Sequence, residues 1–501
     1  MTKQEGVKRV VSKKYWLIGI CLVLLGLVAG GMALGVNFRF PRYIPPLKVV
    51  GDVANSLTLQ DPGGVGKLEK ITFQGTRYQA VKLADMINAA GPVNKAEQIC
   101  LVGLDGFTSV IRAEGIDDCY IAFSAKNGWE AVNLKHPMSS NAKLLNEIVV
   151  VSDGSCRDFA FNVIDPDSQL VQITPGQLLT RPLTAFLYPE GKAVVENDGK
   201  EYESQVFTKR LVFKLSELTP VNDGENLLVM DEKGNYRLVD DGGYFEVRDN
   251  YINYLQPDTR TILERVKGVI VHPPAASITD AYYDAKHYLE SGNKVLMVVL
   301  DGLTYHQYTS AVANGAAPFL EKIGLATRAV GIYPLETNVG LAAMLTGKTA
   351  EESGIAAASD QVLKVPSIFA EAHRLKKQAL LLEAGPKLLE TELQPVSSTD
   401  QNGNGSADDE LFDTILANLD KGYELFMVRF HGIHDSGQRC GESAEETMQA
   451  ISATDKYLAE IVSKWPGKVI IAGNPGTSDQ LIGAAAKFNN HAMFVPYWRV
   501  K

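Results

Sequence analysis

The chain is short of cysteine and carries no excess of positive charge. It has 5 cysteines among 501 residues. So few cysteines exclude a small disulfide-stabilised scaffold, and without a C-x-x-C pair a redox function has no support. Acidic residues outnumber basic ones by 59 to 49, which gives a net charge of −10. This balance argues against nucleic-acid binding, because phosphate backbones are met by clustered Lys and Arg. The length predicts about two to four domains.

One uncharged run is long enough to cross a membrane. Residues 15–36 (YWLIGICLVLLGLVAGGMALGV) contain no charged side chain, and a helix of this length spans a hydrocarbon core of about 30 Å. Five of the six charged residues before the run are basic, which predicts a cytoplasmic N-terminus. We therefore expect a cytoplasmic basic segment at 1–14, a transmembrane anchor at 15–36 and a Pro-rich linker at 37–47. Residues 37–501 are then extracytoplasmic, in a single-pass protein of the cell membrane.

A cleaved signal peptide is the alternative to an anchor. Its cleavage site would be the small-residue sequence Gly31-Met32-Ala33. In either case an oxidising compartment permits disulfides. Cys100 and Cys119 are the closest candidate pair outside the uncharged run.

Residues 48–274 alternate short β-like runs with turn residues, and they contain two similar motifs. Gly75-Thr-Arg-Tyr78 lies 30 residues before Asp105, and Gly199-Lys-Glu-Tyr202 lies 32 residues before Asp231. Each part ends in a Leu-rich, helix-like segment and an apolar strand. The pattern predicts two related β-rich modules, at 48–155 and 156–274. Coincidence among common strand and turn patterns is the alternative.

The first module resembles the molybdopterin-binding fold of the sulfite-oxidase family over about a hundred residues. The resemblance rests on ITFQGTRYQAVKLADMI and the following ICLVGLDGFTSVI. Catalytic members of that family present a cysteine to the metal, and no cysteine of this chain falls at an equivalent position. The resemblance therefore implies a fold relationship and no molybdenum chemistry.

Residues 275–501 show a different pattern, in which strands alternate with helices. Buried strands are predicted at 294–300, 379–384, 425–430 and 468–473. This alternation predicts an α/β domain with a mostly parallel sheet and helices on both faces. Ligands of such sheets bind at the carboxyl ends of the strands.

Polar residues follow several of these strands. Asp301 comes directly after the first strand, where it either binds a cation or caps the next turn. Thr337 precedes a helix of small residues, where it is either a nucleophile or an N-cap. The segment His431–Gln438 and Asn474 follow two later strands.

Together these residues resemble the alkaline phosphatase superfamily, in its type I phosphodiesterase/nucleotide pyrophosphatase branch. Asp301-Gly302 matches the metal-binding Asp-Gly, and Pro334-Leu-Glu-Thr337 with Thr346-Gly347 nine positions later matches the nucleophile segment. HDSGQRCG (434–441) resembles the family's Asp-x-x-Gly-His-x-x-Gly, and His491 resembles its late histidine. The resemblance covers roughly 290–501.

The resemblance implies a site with a threonine nucleophile and divalent metal, Zn or Mn. Thr337 would be the nucleophile. The implied metal ligands are Asp301, His434, Gln438 and His491, and the implied substrate-binding residues are Asn338 and Asn474.

The sequence departs from the family where metals bind. His434 aligns with an Asp, Gln438 aligns with a His, and Asn474-Pro475 stands in place of an Asp-His pair. The family's phosphate-contacting Asn is Gly340 here. His431 is an additional histidine, and on an extended segment it would face away from His434.

Residues Asp400–Asp408 (DQNGNGSAD) follow the start of a calcium loop, with Asp or Asn at alternate positions and Gly at the sixth. The twelfth position is Leu411 rather than an acid. A solvated turn before a helix explains the same residues.

The sequence predicts an α/β protein with an alkaline-phosphatase-like domain, two β-rich modules and one N-terminal transmembrane helix. The expected function is metal-dependent phosphoester hydrolysis outside the cytoplasm. The alternative is a catalytically inactive phosphodiesterase-like binding or scaffold protein. Expected partners are the membrane and a phosphoester small molecule or envelope component, without nucleic acid.

Overall fold

The strands of the described residues form five sheets. The structure is a computed structural model that describes residues 44–124, 127–154, 159–165, 170–220, 226–240, 242–256, 261–475 and 488–500. The predicted anchor at 15–36 lies outside these residues. Within them, no helix has the length and apolar character needed to cross a membrane. Residues from Leu47 onward group as one unit.

The first two sheets are built from residues before 153. Their elements are β1 (Leu47–Gly51), β2 (Leu57–Leu59), β3 (Glu69–Phe73), β4 (Thr76–Lys82), α1 (Leu83–Ala90), β5 (Ala96–Gly103), β6 (Thr108–Arg112), β7 (Cys119–Ser124), β8 (Gly128–Asn133) and β9 (Leu145–Ser152). One sheet has the order β2-β1-β9-β5-β6 and the other β3-β4-β7-β8.

The next two sheets come from residues 161–271. Their elements are β10 (Phe161–Ile164), β11 (Leu170–Ile173), α2 (Pro175–Leu179), β12 (Thr184–Asn197), β13 (Lys200–Phe213), β14 (Asn226–Asp231), β15 (Tyr236–Asp240), β16 (Tyr244–Arg248), β17 (Tyr251–Gln256), β18 (Thr261–Leu263) and β19 (Val266–Val271). One sheet has the order β11-β10-β19-β14-β15 and the other β12-β13-β16-β17-β18.

One sheet of each pair, β2-β1-β9-β5-β6 and β11-β10-β19-β14-β15, has the same topology. In each, the strand that comes first in sequence (β1 or β10) pairs antiparallel with the next strand and parallel with the last strand (β9 or β19). The last strand also pairs antiparallel with one strand of a hairpin, β5-β6 or β14-β15. The sequence motifs beginning at Gly75 and Gly199 lie at matching hairpin turns, where Gln74-Gly75 and Asp198-Gly199 all have positive φ. The two sequence motifs thus occupy equivalent turns, and the division into modules at 48–155 and 156–274 stays a prediction. The Leu-rich segments, which begin at Leu144 and Ile262, are not helical: the first runs into β9, and the second overlaps β18.

Asp52 links the first pair of sheets to the second. Its buried carboxylate accepts hydrogen bonds from the backbone N–H and hydroxyl of Ser152 (both 2.8 Å), the hydroxyl of Thr174 (2.8 Å) and the N–H of Gly176 (2.7 Å). Thr174 also caps α2. One carboxylate therefore satisfies donors from both parts of the chain.

The cysteine pair suggested by the sequence does not form a disulfide. Cys100 and Cys119 are both buried and free, and they belong to strands of different sheets. Burial raises the pKa of both thiols, that of Cys119 to about 11.

The fifth sheet comes from residues 276–500. Its strands are β20 (Ala276–Ser277), β21 (Val295–Asp301), β22 (Thr327–Val330), β23 (Ala379–Ala384), β24 (Val396–Ser398), β25 (Leu425–Phe430), β26 (Lys468–Asn474) and β27 (Phe494–Val500). The helices are α3 (Asp280–Glu290), α4 (Tyr305–Ala313), α5 (Pro318–Lys322), α6 (Thr337–Thr346), α7 (Ala350–Ser353), α8 (Ile368–Arg374), α9 (Asp408–Leu416), α10 (Gly432–Cys440) and α11 (Glu445–Lys464).

This sheet is mostly parallel and is covered by helices on both faces, as predicted. Its order is β20-β22-β27-β26-β21-β25-β23-β24, and β27 is antiparallel to its neighbours. Val295, Met297 and Val299 of β21 enter one core with α3, α6 and α8. The alternate residues Leu296 and Leu300 enter a second core with α4, α9 and α11. β21 is therefore buried on both sides, which explains its continuous apolar sequence.

Candidate active site at the strand ends

Asp301 is the last residue of the central strand β21, and three neighbouring strands bring polar groups to it. Asp301 is the register partner of Asn474 on β26. On the other side, β25 is paired with β21 and carries Arg429, and β23 beyond it carries Glu383. All four side chains are at least nine-tenths buried. These four side chains therefore lie together at the carboxyl edge of the sheet, and a functional site there stays a prediction.

Both carboxylate oxygens of Asp301 are engaged by donors of the chain itself. Oδ2 accepts hydrogen bonds from Arg429 Nη1 at 2.8 Å and from His431 Nδ1 at 3.0 Å. Oδ1 accepts one from Asn474 Nδ2 at 2.8 Å. Arg429 also donates to Glu383 Oε1 at 3.2 Å and to the carbonyl of Pro386.

The charges of this network are internally balanced. Burial alone would raise the pKa of Asp301, but the charge of Arg429 and the hydrogen bonds from His431 and Asn474 outweigh it and hold that pKa at about 2. Burial also opposes a charged His431, yet its contact with Asp301 raises the pKa of the imidazole. Burial raises the pKa of Glu383, against the attraction of Arg429.

These residues do not fit a divalent metal at Asp301. Oδ2 of Asp301 already accepts two hydrogen bonds and Oδ1 accepts one, so a single lone pair of Oδ1 is left for a metal ion. The adjoining group is a guanidinium, which is permanently cationic and repels a second cation. Among the described residues, no three His, Cys, Asp or Glu side chains are grouped so that they could hold a metal ion. The guanidinium of Arg429 occupies the neighbourhood in which the family resemblance implies a metal.

The expectation that His431 and His434 point to opposite sides is wrong, because the segment is helical. His431 is the N-cap of α10, and His434 lies one turn later with its ring centroid 4.6 Å from that of His431. His431 Nε2 also lies 3.4 Å from Asp435 Oδ1. Burial and the charge of His431 lower the pKa of His434. His434 is thus a buried neutral imidazole beside the Asp301 network.

Thr337 begins α6 and is joined to the network through its backbone. Asn474 Nδ2, which donates to Asp301, also donates to the carbonyl of Thr337 at 3.0 Å. The Thr337 side chain is half-buried. Asn474 therefore links the Asp301 carboxylate to the helix that carries the predicted nucleophile.

Gly340 and Asn474, two departures from the family pattern, touch each other. A Cβ on residue 340 would lie 2.0 Å from Asn474 Oδ1. Only glycine fits beside this Asn conformer. Within the described residues, Asn474 Oδ1 is buried without a hydrogen-bond partner.

The other predicted site residues lie apart from this network or are already engaged. Asn338 Nδ2 donates to the carbonyls of Ala357 (2.8 Å) and Asp360 (2.7 Å), which holds a loop against α6. Gln438 is exposed near the end of α10. His491 is largely exposed, and its ring centroid lies 4.3 Å from that of His306. Its remaining partial burial and the charge of His306 both lower the pKa of His491.

The loop from Asp400 is closed by its own backbone. Asp400 accepts hydrogen bonds from the N–H groups of Gly403, Asn404 and Gly405 at 2.7–3.2 Å. Glu410 accepts from the N–H of Gln401 at 2.8 Å. These contacts agree with a turn that leads into α9, and the calcium site stays a prediction.

Arg429 and Glu383 were not recognised as site residues from the sequence, although each leaves a signal. Each is the single charge in an otherwise apolar strand, LFMVRF and ALLLEA. A charge inside a strand that is buried on both faces needs a partner, and adjacent strands make these two charges each other's partners.

Comparisons with known proteins gave structural matches only. A scan against protein-family models found no match, and no curated protein matched the sequence. Murine ectonucleotide pyrophosphatase/phosphodiesterase 5 matches at 16% identity and a TM-score of 0.30, over 36% of this chain and 57% of that one. The human protein of the same name gives the same values.

A phosphonoacetate hydrolase from Sinorhizobium meliloti 1021 matches at 15% identity and a TM-score of 0.30, over 36% of this chain and 55% of that one. The match thus spans little more than half the length of each of these proteins. A TM-score of 0.30 carries no weight for the activity of this chain, which has to be judged from its own residues.

Proposed function

We propose that residues 275–501 form a phosphodiesterase-like domain in which an internal ion pair replaces the catalytic metal, and that the protein serves as a binding or scaffold protein. The contact between Arg429 and Asp301 at 2.8 Å, with neither side chain exposed, carries this proposal. A buried charge pair of this kind is costly to separate. It therefore opposes the entry of a divalent ion at Asp301.

The proposed location is the outer face of the cell membrane, with the anchor at 15–36 and the modules at 48–155 and 156–274 between it and the domain. The uncharged run and its basic flank support the anchor. The topology shared by one sheet of each pair supports a repeated spacer or recognition unit. The resemblance of the first module to a molybdopterin-binding fold stays a prediction, and no cofactor chemistry is proposed for it.

Hydrolysis of phosphate mono- or diesters through Thr337 is the second candidate. It is favoured by the position of Thr337 at the N-terminus of α6, where backbone N–H groups stabilise phosphate oxygens. It is opposed by the engagement of Asp301, which leaves the hydroxyl without the charged partner that the family resemblance implies.

Metal content and turnover of the full-length protein in detergent separate the two candidates. The protein is loaded with Zn²⁺ or Mn²⁺, dialysed, and measured by elemental mass spectrometry and with p-nitrophenyl phosphate and bis(p-nitrophenyl) phosphate. We expect no stoichiometric metal and equal, background turnover in the parent and in Thr337→Ala. Thr309→Ala, which changes an exposed threonine of α4, is the matched control. One tightly held ion per chain, lost in His434→Ala, together with turnover that needs Thr337, would establish the hydrolase instead.

A further inference from the structure

The hairpin formed by β12 and β13 extends beyond its sheet. Each strand has 14 residues, but β13 pairs with β16 only through Val212 and Phe213 at its end. Every residue of 192–197 and 200–209 is exposed. An isolated two-stranded ribbon is at best marginally stable in water. The outer half of this hairpin therefore lacks the packing that usually stabilises a ribbon.

Large apolar side chains lie on both faces of the exposed ribbon. Val195 and Tyr202 are register partners on one face and are 63% and 57% exposed. Val194 lies on the other face, opposite Glu203, and is 56% exposed. Clustered exposed apolar groups mark an interaction surface.

The ribbon also has a free strand edge. In the part of the chain that the structure describes, β12 is the outermost strand of its sheet and pairs only with β13. In the part of β12 closest to the rest of the sheet, this edge is interrupted by Pro189 and by the register irregularity between Pro189 and Gly191. Prolines and bulges of this kind prevent an edge strand from pairing with another chain. The stretch Lys192–Asn197 has no such interruption and is free to pair.

This stretch is complementary to itself. Its sequence from Lys192 to Glu196 is KAVVE. When two copies run antiparallel about a two-fold axis at Val194, Lys192 of each copy faces Glu196 of the other and the two Val194 side chains meet. Directly opposed residues share one face of an antiparallel pair, so the valines and the charges lie together.

The same pairing offsets an unfavourable contact of the single chain. Glu196 is directly opposite Glu201 within the hairpin, and like charges opposed across strands are destabilising. A lysine from a second copy would lie beside this acidic pair. The β12 edge thus offers backbone hydrogen-bonding groups, apolar contact and complementary charge to a second copy of this chain.

We propose that two copies of this chain associate through antiparallel pairing of their β12 edges, centred on Val194. The two sheets then become one continuous sheet across the two-fold axis. This association is independent of whether the C-terminal domain hydrolyses phosphoesters.

A charge swap tests the proposed register on the full-length protein in detergent, with the dimer dissociation constant measured by analytical ultracentrifugation. Lys192→Glu or Glu196→Lys places like charges at both symmetric contacts, and we expect each to weaken the dimer about tenfold. The double variant restores opposite charges with their positions exchanged. We expect it to dimerise within about threefold of the parent.

Glu203→Gln is the matched control. It removes the contact of Lys192 with Glu203 inside the hairpin, 2.7 Å long, without substituting any residue of the outer edge. The control should leave the dissociation constant unchanged. A protein that stays monomeric, a dimer insensitive to the charge variants, or a double variant as weak as the singles would overturn the proposal.

Disulfide trapping provides a second, independent readout. Val194→Cys in a Cys440→Ser background, which removes the one exposed thiol among the cysteines that the structure describes, brings two thiols together at the axis. Opposed residues of antiparallel strands have Cα atoms about 4.5–5.5 Å apart, within bridging range. We expect a covalent dimer on mild oxidation for Val194→Cys and only background for Glu203→Cys. Equal yields for the two positions would overturn the register.

Discussion

Arg429 Nη1 donates to Asp301 Oδ2 over 2.8 Å, and neither side chain has any surface exposed. The two residues belong to adjacent parallel strands, so the sheet itself fixes their approach. Glu383 on the next strand accepts from the same guanidinium at 3.2 Å. The carboxyl edge of this sheet is therefore a closed, charge-compensated network.

Removing the guanidinium should destabilise the fold strongly. Arg429→Ala leaves Asp301 and Glu383 buried without their cation. We expect a loss of about 3–5 kcal/mol in the free energy of unfolding, because a buried ion without its partner keeps its desolvation cost. Urea titration followed by tryptophan fluorescence measures it.

The control for this variant is an exposed ion pair. Lys464→Ala removes a contact with Glu460 of 2.7 Å, in which the side chains are 52% and 45% exposed. Such a pair contributes less than about 0.5 kcal/mol. If Arg429→Ala lowers the free energy of unfolding no more than this control does, the buried pair of Arg429 and Asp301 does not stabilise the fold.

The contact between Gly340 and Asn474 gives a second prediction. Gly340→Ala places a methyl group 2.0 Å from Asn474 Oδ1, and forced overpacking costs about 1–3 kcal/mol. Truncating the opposing side chain should relieve the clash, so the combined Gly340→Ala and Asn474→Ala variant should be less destabilised than the sum of the single changes. Thermal unfolding of the three variants checks this.

Gly437 provides the matched glycine. It also lies within a helix, α10, but an added Cβ meets no atom within 4 Å. Gly437→Ala should be neutral or stabilising by up to about 1 kcal/mol, since alanine is the better helix former. Equal effects at the two glycines would contradict a role for the Asn474 contact.

The α/β part of the fold was predictable because its strands are continuously apolar. The strands predicted at 379–384 and 425–430 are present with those bounds. The strand predicted at 294–300 is shifted by one residue at each end, and that predicted at 468–473 is one residue longer. Strands buried on both faces carry this signal in their local sequence. Asp301 and Asn474 followed from the rule that polar groups gather at the carboxyl ends.

The contacts that decide the chemistry were not predictable from local sequence. Whether Asp301 meets a metal or Arg429 depends on the order of strands separated by more than a hundred residues. The side on which His431 lies depends on α10 beginning at Gly432, whereas an extended segment was expected. The first is a tertiary contact and the second is the start of a helix, and residue spacing alone encodes neither.

Asp52 gives a third prediction, on the link between the two pairs of sheets. Asp52→Ala leaves buried donors of Ser152, Thr174 and Gly176 without their acceptor, and each unsatisfied donor costs about 1–3 kcal/mol. We expect a loss of several degrees in the melting temperature. Asp61→Ala, which removes a single exposed contact with the N–H of Gly63, should change it by less than one degree or so. A change in melting temperature of less than one degree for Asp52→Ala would refute the role of Asp52 in joining the two pairs of sheets.

The last prediction concerns pH and the buried carboxylate of Asp408. Asp408 accepts hydrogen bonds from the N–H groups of His431 and Gly432, both at 3.0 Å, and thereby caps α10. Burial raises the pKa of Asp408 to about 6, although these two hydrogen bonds lower it. An Asp in an unfolded chain has a pKa of about 3.9. The folded state therefore binds more protons than the unfolded state between about pH 4 and 6, so stability falls as the pH rises through this window.

Asp408→Asn removes this titration. The difference in unfolding free energy between the parent and the variant should change by on the order of 3 kcal/mol from pH 4 to 7. The histidines titrate in both proteins, so their contribution cancels in the difference except for the effect of the His431 charge on Asp408. Asp413→Asn, an exposed change on the same helix α9, should follow the parent across the range. A pH-independent difference between the parent and Asp408→Asn would mean that Asp408 stays ionised in the fold, and that its hydrogen bonds to α10 outweigh its burial.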